Sequence, residues 1–212
     1  MSIIKNAINY VKEFFTNEFS GHDFFHTIRV HNLAKLIAEK ENANSLIVEL
    51  AALLHDVDDV KLSPSTSYNK TNAREFLIKN NVDNETINLI CNIIEEVSFK
   101  GTDSVIPSSL ESKCVQDADR LDAIGAIGIA RAFAYGGNHN RVMYDPSETP
   151  NLNMNEEEYR KHVSTTVNHF YEKLFLLKDM MNTSTAKQIA EERHKYMKEY
   201  IDRFLQEWNG LK

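Results

Sequence analysis

Residues 46–57, LIVELAALLHDV, constrain this chain more than any other stretch. The segment is apolar nearly all round, the pattern of a helix enclosed on every side rather than one lying on a surface. A chain that builds such a helix must wrap other helices around it. Yet the segment closes on His55 and Asp56. A carboxylate at the end of so apolar a helix is costly unless it is paired or bound to a metal. Adjacent helix positions diverge by about 100°, so both side chains can reach one ion that lies between their directions near the helix end.

The rest of the chain supplies helices for that enclosure. Residues 2–16 carry Ile3, Ile4, Ala7, Val11, Phe14 and Phe15 at helical spacing. After Gly21, Asp23 reads as a cap for a second helix running to about Lys40, and a polar turn over 41–45 leads into the buried helix. Further helices are expected over 70–80, over 84–97 behind an Asp83 or Asn84 cap, in pieces over 109–135, and as two long amphipathic helices over 156–180 and 184–209. Residues 59–69 and 98–107 read as loops. The run 136–155 is rich in turn residues and reads as a long mobile loop, of a length often used for a lid. With only 7 Gly and 4 Pro in 212 residues and no strand pattern, the expectation is an all-α helical bundle in one domain, its core over about 20–135 with the C-terminal helices 156–210 packing on it.

Charge and composition exclude some functions. The net charge of -7 argues against a nucleic-acid polymer as partner, since phosphate contacts demand a basic face. A small anionic substrate needs only local charge. Cys91 and Cys114 form no CxxC pair and read as reduced, buried thiols. The N-terminus has lysines inside its apolar pattern and no cleavage site, and no run approaches the ~20 apolar residues of a membrane span. The expected location is the cytoplasm, with no membrane partner. The terminal helices can pack on the body or on a second chain, so a homodimer stays open.

Two further residues join His55 and Asp56. His26 lies in GHDFFHTIRV on the second helix, and Asp119 lies in QDADRLDA. Imidazole and carboxylate together suit a first-row divalent cation, and helical bundles build such sites from side chains on facing helices. Each residue alone has a plainer reading: a hydrogen-bonded histidine, or an aspartate capping a helix. Taken in order, His, His-Asp and Asp resemble the HD domain superfamily of metal-dependent phosphohydrolases. The stretches GHDFFHTIRVHNLA, LAALLHDVDDVK and VQDADRLDAIGAIGIARAF are similar to a bacterial subgroup of nucleotide pyrophosphohydrolases. VNHFYEKLF over 167–175 extends the likeness, which spans about residues 20 to 205.

The resemblance implies a metal held by His26, His55, Asp56 and Asp119. Members with two metals add two histidines between the HD pair and the last Asp; 57–118 here contains none, which implies one ion unless Asp59, Glu95 or Glu96 ligates a second. By resemblance the ion is Mn²⁺; Co, Ni, Fe or Zn also suit two imidazoles and two carboxylates. Such an ion generates a nucleophilic water and draws charge from a phosphoryl oxygen. Asp59, three residues after Asp56, is the first candidate for handling the water's proton, and Glu95 and Glu96 are the second. Arg29, Lys61, Lys100 and Arg120 cluster around the motifs as candidate phosphate ligands. Asp122, three after Asp119, and His22, four before His26, are candidate partners of a ligand histidine, with Asp122 also a candidate base contact. The implied reaction converts a nucleoside triphosphate to the monophosphate and pyrophosphate. The alternatives are a 5′-nucleotidase or other phosphomonoesterase, and a nucleotide-binding regulatory module.

Overall fold

A computed structural model describes residues 2–16, 23–60, 62–97 and 105–212. Among them every regular element is helical. The described residues group into two compact units, one ending at Asp119 and the other running from Arg120 to Lys212. The sequence reads as one domain; the division falls within a helix, between Asp119 and Arg120.

The first unit is built on the enclosed helix. α1 (Ile3–Phe14), α2 (Phe24–Glu41), α3 (Ser45–Leu54), α4 (Thr71–Lys79) and α5 (Asn84–Val97) precede α6 (Leu110–Asp122). α3 packs against α1, α2 and α5, and Val48, Leu50, Ala51, Ala52, Leu53 and Leu54 are all buried. Its surroundings explain why it carries no polar face. The turns around it follow from their residues. Asn42 adopts the left-handed conformation, φ 59°, that ends α2, a place asparagine tolerates well. Asn44 then caps α3 by accepting from the Ile47 N–H at 3.3 Å. α2 and α3 are also joined by His31 Nε2 and Glu49 Oε2, 2.8 Å apart.

α3 stops at Leu54, earlier than the expected Val57. His55 keeps helical backbone angles, but residues 55–58 turn out of the helix. Asp58 explains the turn. Its carboxylate, buried at the start of α4, accepts from the N–H groups of Asn72 (3.1 Å) and Ala73 (2.9 Å). Asn72 returns the bond, its side-chain amide donating to the Val57 carbonyl at 2.8 Å.

The second unit holds α7 (Gly125–Asn138), α8 (Glu156–Lys161), α9 (Thr166–His169) and α10 (Ser184–Trp208). α10 packs on α7, with Phe133 of α7 among Phe170, Tyr200 and Phe204. The helix expected over 156–180 is broken. After α8 the chain runs extended through 162–165, forms α9, passes through a π-helical turn, Phe170–Leu174, and ends in a 3₁₀ turn, Leu176–Met180. The cause lies in Val163-Ser164-Thr165-Thr166-Val167: β-branched and hydroxyl side chains disfavour a helix interior and favour caps. Thr165 acts as a cap, accepting from the Asn168 N–H at 3.0 Å.

The irregular segment after α7 is tied down rather than free. The Val142 and Met143 carbonyls accept from the N–H groups of Thr166 and Val167 at 3.1 and 2.9 Å. The Asn151 N–H donates to the buried Glu172 carboxylate at 3.1 Å, and Met154 is buried.

Candidate metal centre

Four side chains converge in the first unit. Asp23 fixes where α2 begins by accepting from the His26 N–H at 2.7 Å, so His26 stands in the first turn of that helix. His55 and Asp56 come from the end of α3, and Asp119 from α6. α6 is itself fastened to α5. The Gln116 amide donates to the carbonyls of Glu96 (2.7 Å) and Val105 (3.0 Å), and the Glu96 carboxylate accepts from the Ser108 N–H and the Ser112 hydroxyl.

Asp56 Oδ2 lies 3.4 Å from His26 Nε2 and 3.2 Å from His55 Nε2. Asp119 Oδ1 lies 3.5 and 3.9 Å from the same two nitrogens. One ligand atom from each of His26, His55 and Asp56 falls within 4.8 Å of the others. Ligands about 2.0–2.2 Å from one ion stand roughly 3.0–3.5 Å apart at octahedral or tetrahedral angles; three of these separations fall in that range, and the His55–Asp119 separation of 3.9 Å is wider. His26, His55 and Asp56 are buried, while the Asp119 side chain is 28% exposed.

His55 shows the site's preference for a cation. Its Nδ1 donates to the Ala52 carbonyl at 2.8 Å, which turns Nε2 into the pocket. That Nε2 is buried and has no hydrogen-bond partner, an arrangement costly for a polar atom and suited to metal ligation, where the other ring nitrogen is held by a backbone or carboxylate oxygen. Burial pushes the imidazole pKa down, yet the Asp56 carboxylate, with help from Asp119 and the Ala52 carbonyl, lifts it to about 9. The carboxylates that raise the imidazole pKa set up the negative field that a divalent cation would meet once the ring is neutral.

The other candidates take varied places. Asp59 is half-buried just past the turn; its N–H donates to the Asp56 carbonyl at 3.1 Å, and its own carbonyl accepts from the Leu62 and Ser63 N–H groups. The helix expected to carry Asp59 onto the His55–Asp56 side is replaced by this turn. Glu95 is ion-paired with Lys70, and Glu96 caps α6 as described. Arg29 is half-buried on α2. In the second unit the Arg120 guanidinium donates to the Met180 carbonyl and Asp122 is ion-paired with Arg131 at 2.7 Å. Lys61, Lys100 and His22 lie outside the described residues. Sequence reasoning missed Asp58, whose capping partner is 14 residues along the chain, and the Ala52 carbonyl, which a continued helical turn would have suggested.

The profile of the HD domain matches residues 23–124, a span that contains all four converging side chains. A Lactobacillus plantarum protein of known structure is 40% identical, with 98% of this chain and 97% of that one covered and a TM-score of 0.87. An HD-superfamily hydrolase from Bacillus thuringiensis is 44% identical over 97% of this chain and 96% of that one, with a TM-score of 0.77. YpgQ of Bacillus subtilis is 39% identical over 204 residues, covering 95% of this chain and 92% of that protein. The crystal structure of YpgQ in complex with ADP superimposes with a TM-score of 0.78 and covers 99% of this chain and 100% of that one.

Proposed function

Because this chain belongs to the HD domain family and is an HD-superfamily hydrolase, we propose that it hydrolyses nucleoside triphosphates to the monophosphate and pyrophosphate. The observation that carries the nucleotide part is the ADP complex of YpgQ, a protein alike over its whole length. His26, His55, Asp56 and Asp119 would hold a single ion. Two imidazoles and two carboxylates favour a transition metal over Mg²⁺, which prefers oxygen donors; Mn²⁺ is our assignment, with Co, Ni, Fe and Zn compatible with the same donors. When bound, the cation supplies Lewis acidity toward a phosphoryl oxygen and a water of lowered pKa.

The reaction is balanced by one water. Its oxygen bonds to the α-phosphorus, the bond from that phosphorus to the α–β bridging oxygen breaks, and pyrophosphate leaves. Asp59 is assigned as the acceptor of the water's proton. The turn Asp56–Asp59 holds the two residues together through the bond from the Asp59 N–H to the Asp56 carbonyl. Arg29, one helical turn beyond His26, is assigned to the substrate phosphates, with Lys61 and Lys100 as further phosphate ligands.

A panel of nucleoside triphosphates incubated with the Mn²⁺-loaded protein and with Asp56→Ala tests this reading. Anion exchange should resolve monophosphate and pyrophosphate from the parent alone. Orthophosphate released from monophosphates would move the assignment to a 5′-nucleotidase. Nucleotide binding with no turnover would leave a regulatory module.

A further inference from the structure

Beside the HD turn, and containing none of the four converging side chains, the first unit has a cavity of about 820 Å³. That volume lies in the range of small-molecule sites. Its wall is Val60, the stretch from Pro64 to Lys70, the start of α4 and one face of α5. Two cations line it, Lys70 and Arg74, against one carboxylate, Glu95, so its lining is net positive in a chain of net charge -7.

Both cations are placed, not merely present. Lys70 is buried and adopts a left-handed backbone, φ 53°, a conformation unusual for a residue other than glycine or asparagine. Its ammonium is drawn to the Ser67 carbonyl and the Glu95 carboxylate. Arg74 is anchored through neutral acceptors, its Nε donating to the Asn69 carbonyl and its Nη1 to Asn88 Oδ1, both at 2.9 Å. Two of the five guanidinium N–H donors are thereby used, and among the described residues no carboxylate pairs with it. A guanidinium held by neutral oxygens keeps its charge and a fork of donors for an anion. The lining also includes the apolar Val60 and Pro64 and the aromatic Tyr68, a residue 94% exposed. Cys91 also lines it, its thiol pKa raised by burial.

We propose that this cavity binds a nucleoside polyphosphate, the phosphates against Arg74 and Lys70 and the base against Tyr68 and Pro64. The proposal rests on the function assigned above only for the choice of nucleotide as probe. The ligand has two sources, the substrate itself or a second, regulatory nucleotide, and one experiment separates them.

ADP is titrated calorimetrically into the Mn²⁺-loaded protein and into Arg74→Gln and Tyr68→Ala, with bound metal measured in each. The expected result is ADP affinity at least about tenfold weaker in Arg74→Gln, the scale of one charge-assisted contact, and severalfold weaker in Tyr68→Ala, at unchanged metal content. Tyr68 is so exposed that its replacement leaves the fold intact, which guards against a folding artefact at Arg74. If the KM for the triphosphate rises with the ADP constant, the cavity takes the substrate. If KM stays fixed while ADP binding falls, it takes a regulatory nucleotide. Wild-type ADP affinity in both variants overturns the proposal. These readouts do not need turnover, so they stand apart from any failure of the hydrolysis test.

Discussion

Replacing Asp58 removes the clamp on the turn that carries His55 and Asp56. The Asp58 carboxylate takes two backbone N–H groups at the start of α4. Loss of a helix cap costs about 0.5–2 kcal/mol, and stranding donors that had bonded to a charged group costs about 1.5–3 kcal/mol. Asp58→Ala should therefore destabilise the protein by roughly 2–4 kcal/mol, and Asp58→Asn, which keeps one acceptor oxygen, by about half. Equilibrium urea unfolding of the metal-free protein should show a lower midpoint with an unchanged slope. The second readout is metal affinity. Because Asn72 also binds the Val57 carbonyl, a loosened turn places Asp56 less well, and metal should bind several-fold more weakly in Asp58→Ala. In an Asp58→Ala/Asn72→Ala cycle the double variant should lose less than the sum of the singles, because the residues act through one turn. A wild-type midpoint together with wild-type metal affinity in Asp58→Ala would refute the argument.

Three other outcomes are expected. In Gly128→Ala the new Cβ would lie 2.2 Å from the Ala123 carbonyl oxygen, a backbone atom, so urea unfolding should show a loss of at least about 1–3 kcal/mol. His169 is held neutral to about pH 3, first by burial and then by the positive Lys173, Arg141 and His162; its folded pKa is below its unfolded value, so it adds stability above pH 6.5 that falls away toward pH 3. His169→Gln should flatten the acid limb of the stability profile in that window by up to about 1.4 kcal/mol per pH unit, and an unchanged acid limb would count against the depressed pKa. Removing metal with a chelator should lower the unfolding midpoint of the parent and leave that of Asp119→Asn unchanged, since an ion bound to the folded state stabilises only a protein that binds it.

The buried helix and the metal-site order were legible because each rests on local signals. α3 is apolar on all sides and ends in His55-Asp56, and Asp23 and Asp83 are caps whose partners lie three residues away. The break over 162–165 was hidden by the apolar periodicity of 156–180, although the Val-Ser-Thr-Thr-Val run carried a cap signal strong enough to outweigh it. Composition marked 136–155 as irregular, although α7 runs on through Asn138, and said nothing of the carbonyls of Val142 and Met143, whose donors come from α9. Asp58 carries no local signal for its role, because the N–H groups it caps belong to the next helix. Glu96 was a second candidate for handling the water's proton, and its bonds to Ser108 and Ser112, which depend on the α5–α6 junction, could not be read from spacing. Long-range partners were the common omission.

Hydrolysis of a nucleoside triphosphate in ¹⁸O-enriched water, by the Mn²⁺-loaded parent and by Asp119→Asn, tests the central claim most directly. The account predicts label in the monophosphate, none in the pyrophosphate, and neither product nor bound metal in the variant. Label in pyrophosphate or orthophosphate, or full turnover by the variant, would contradict it.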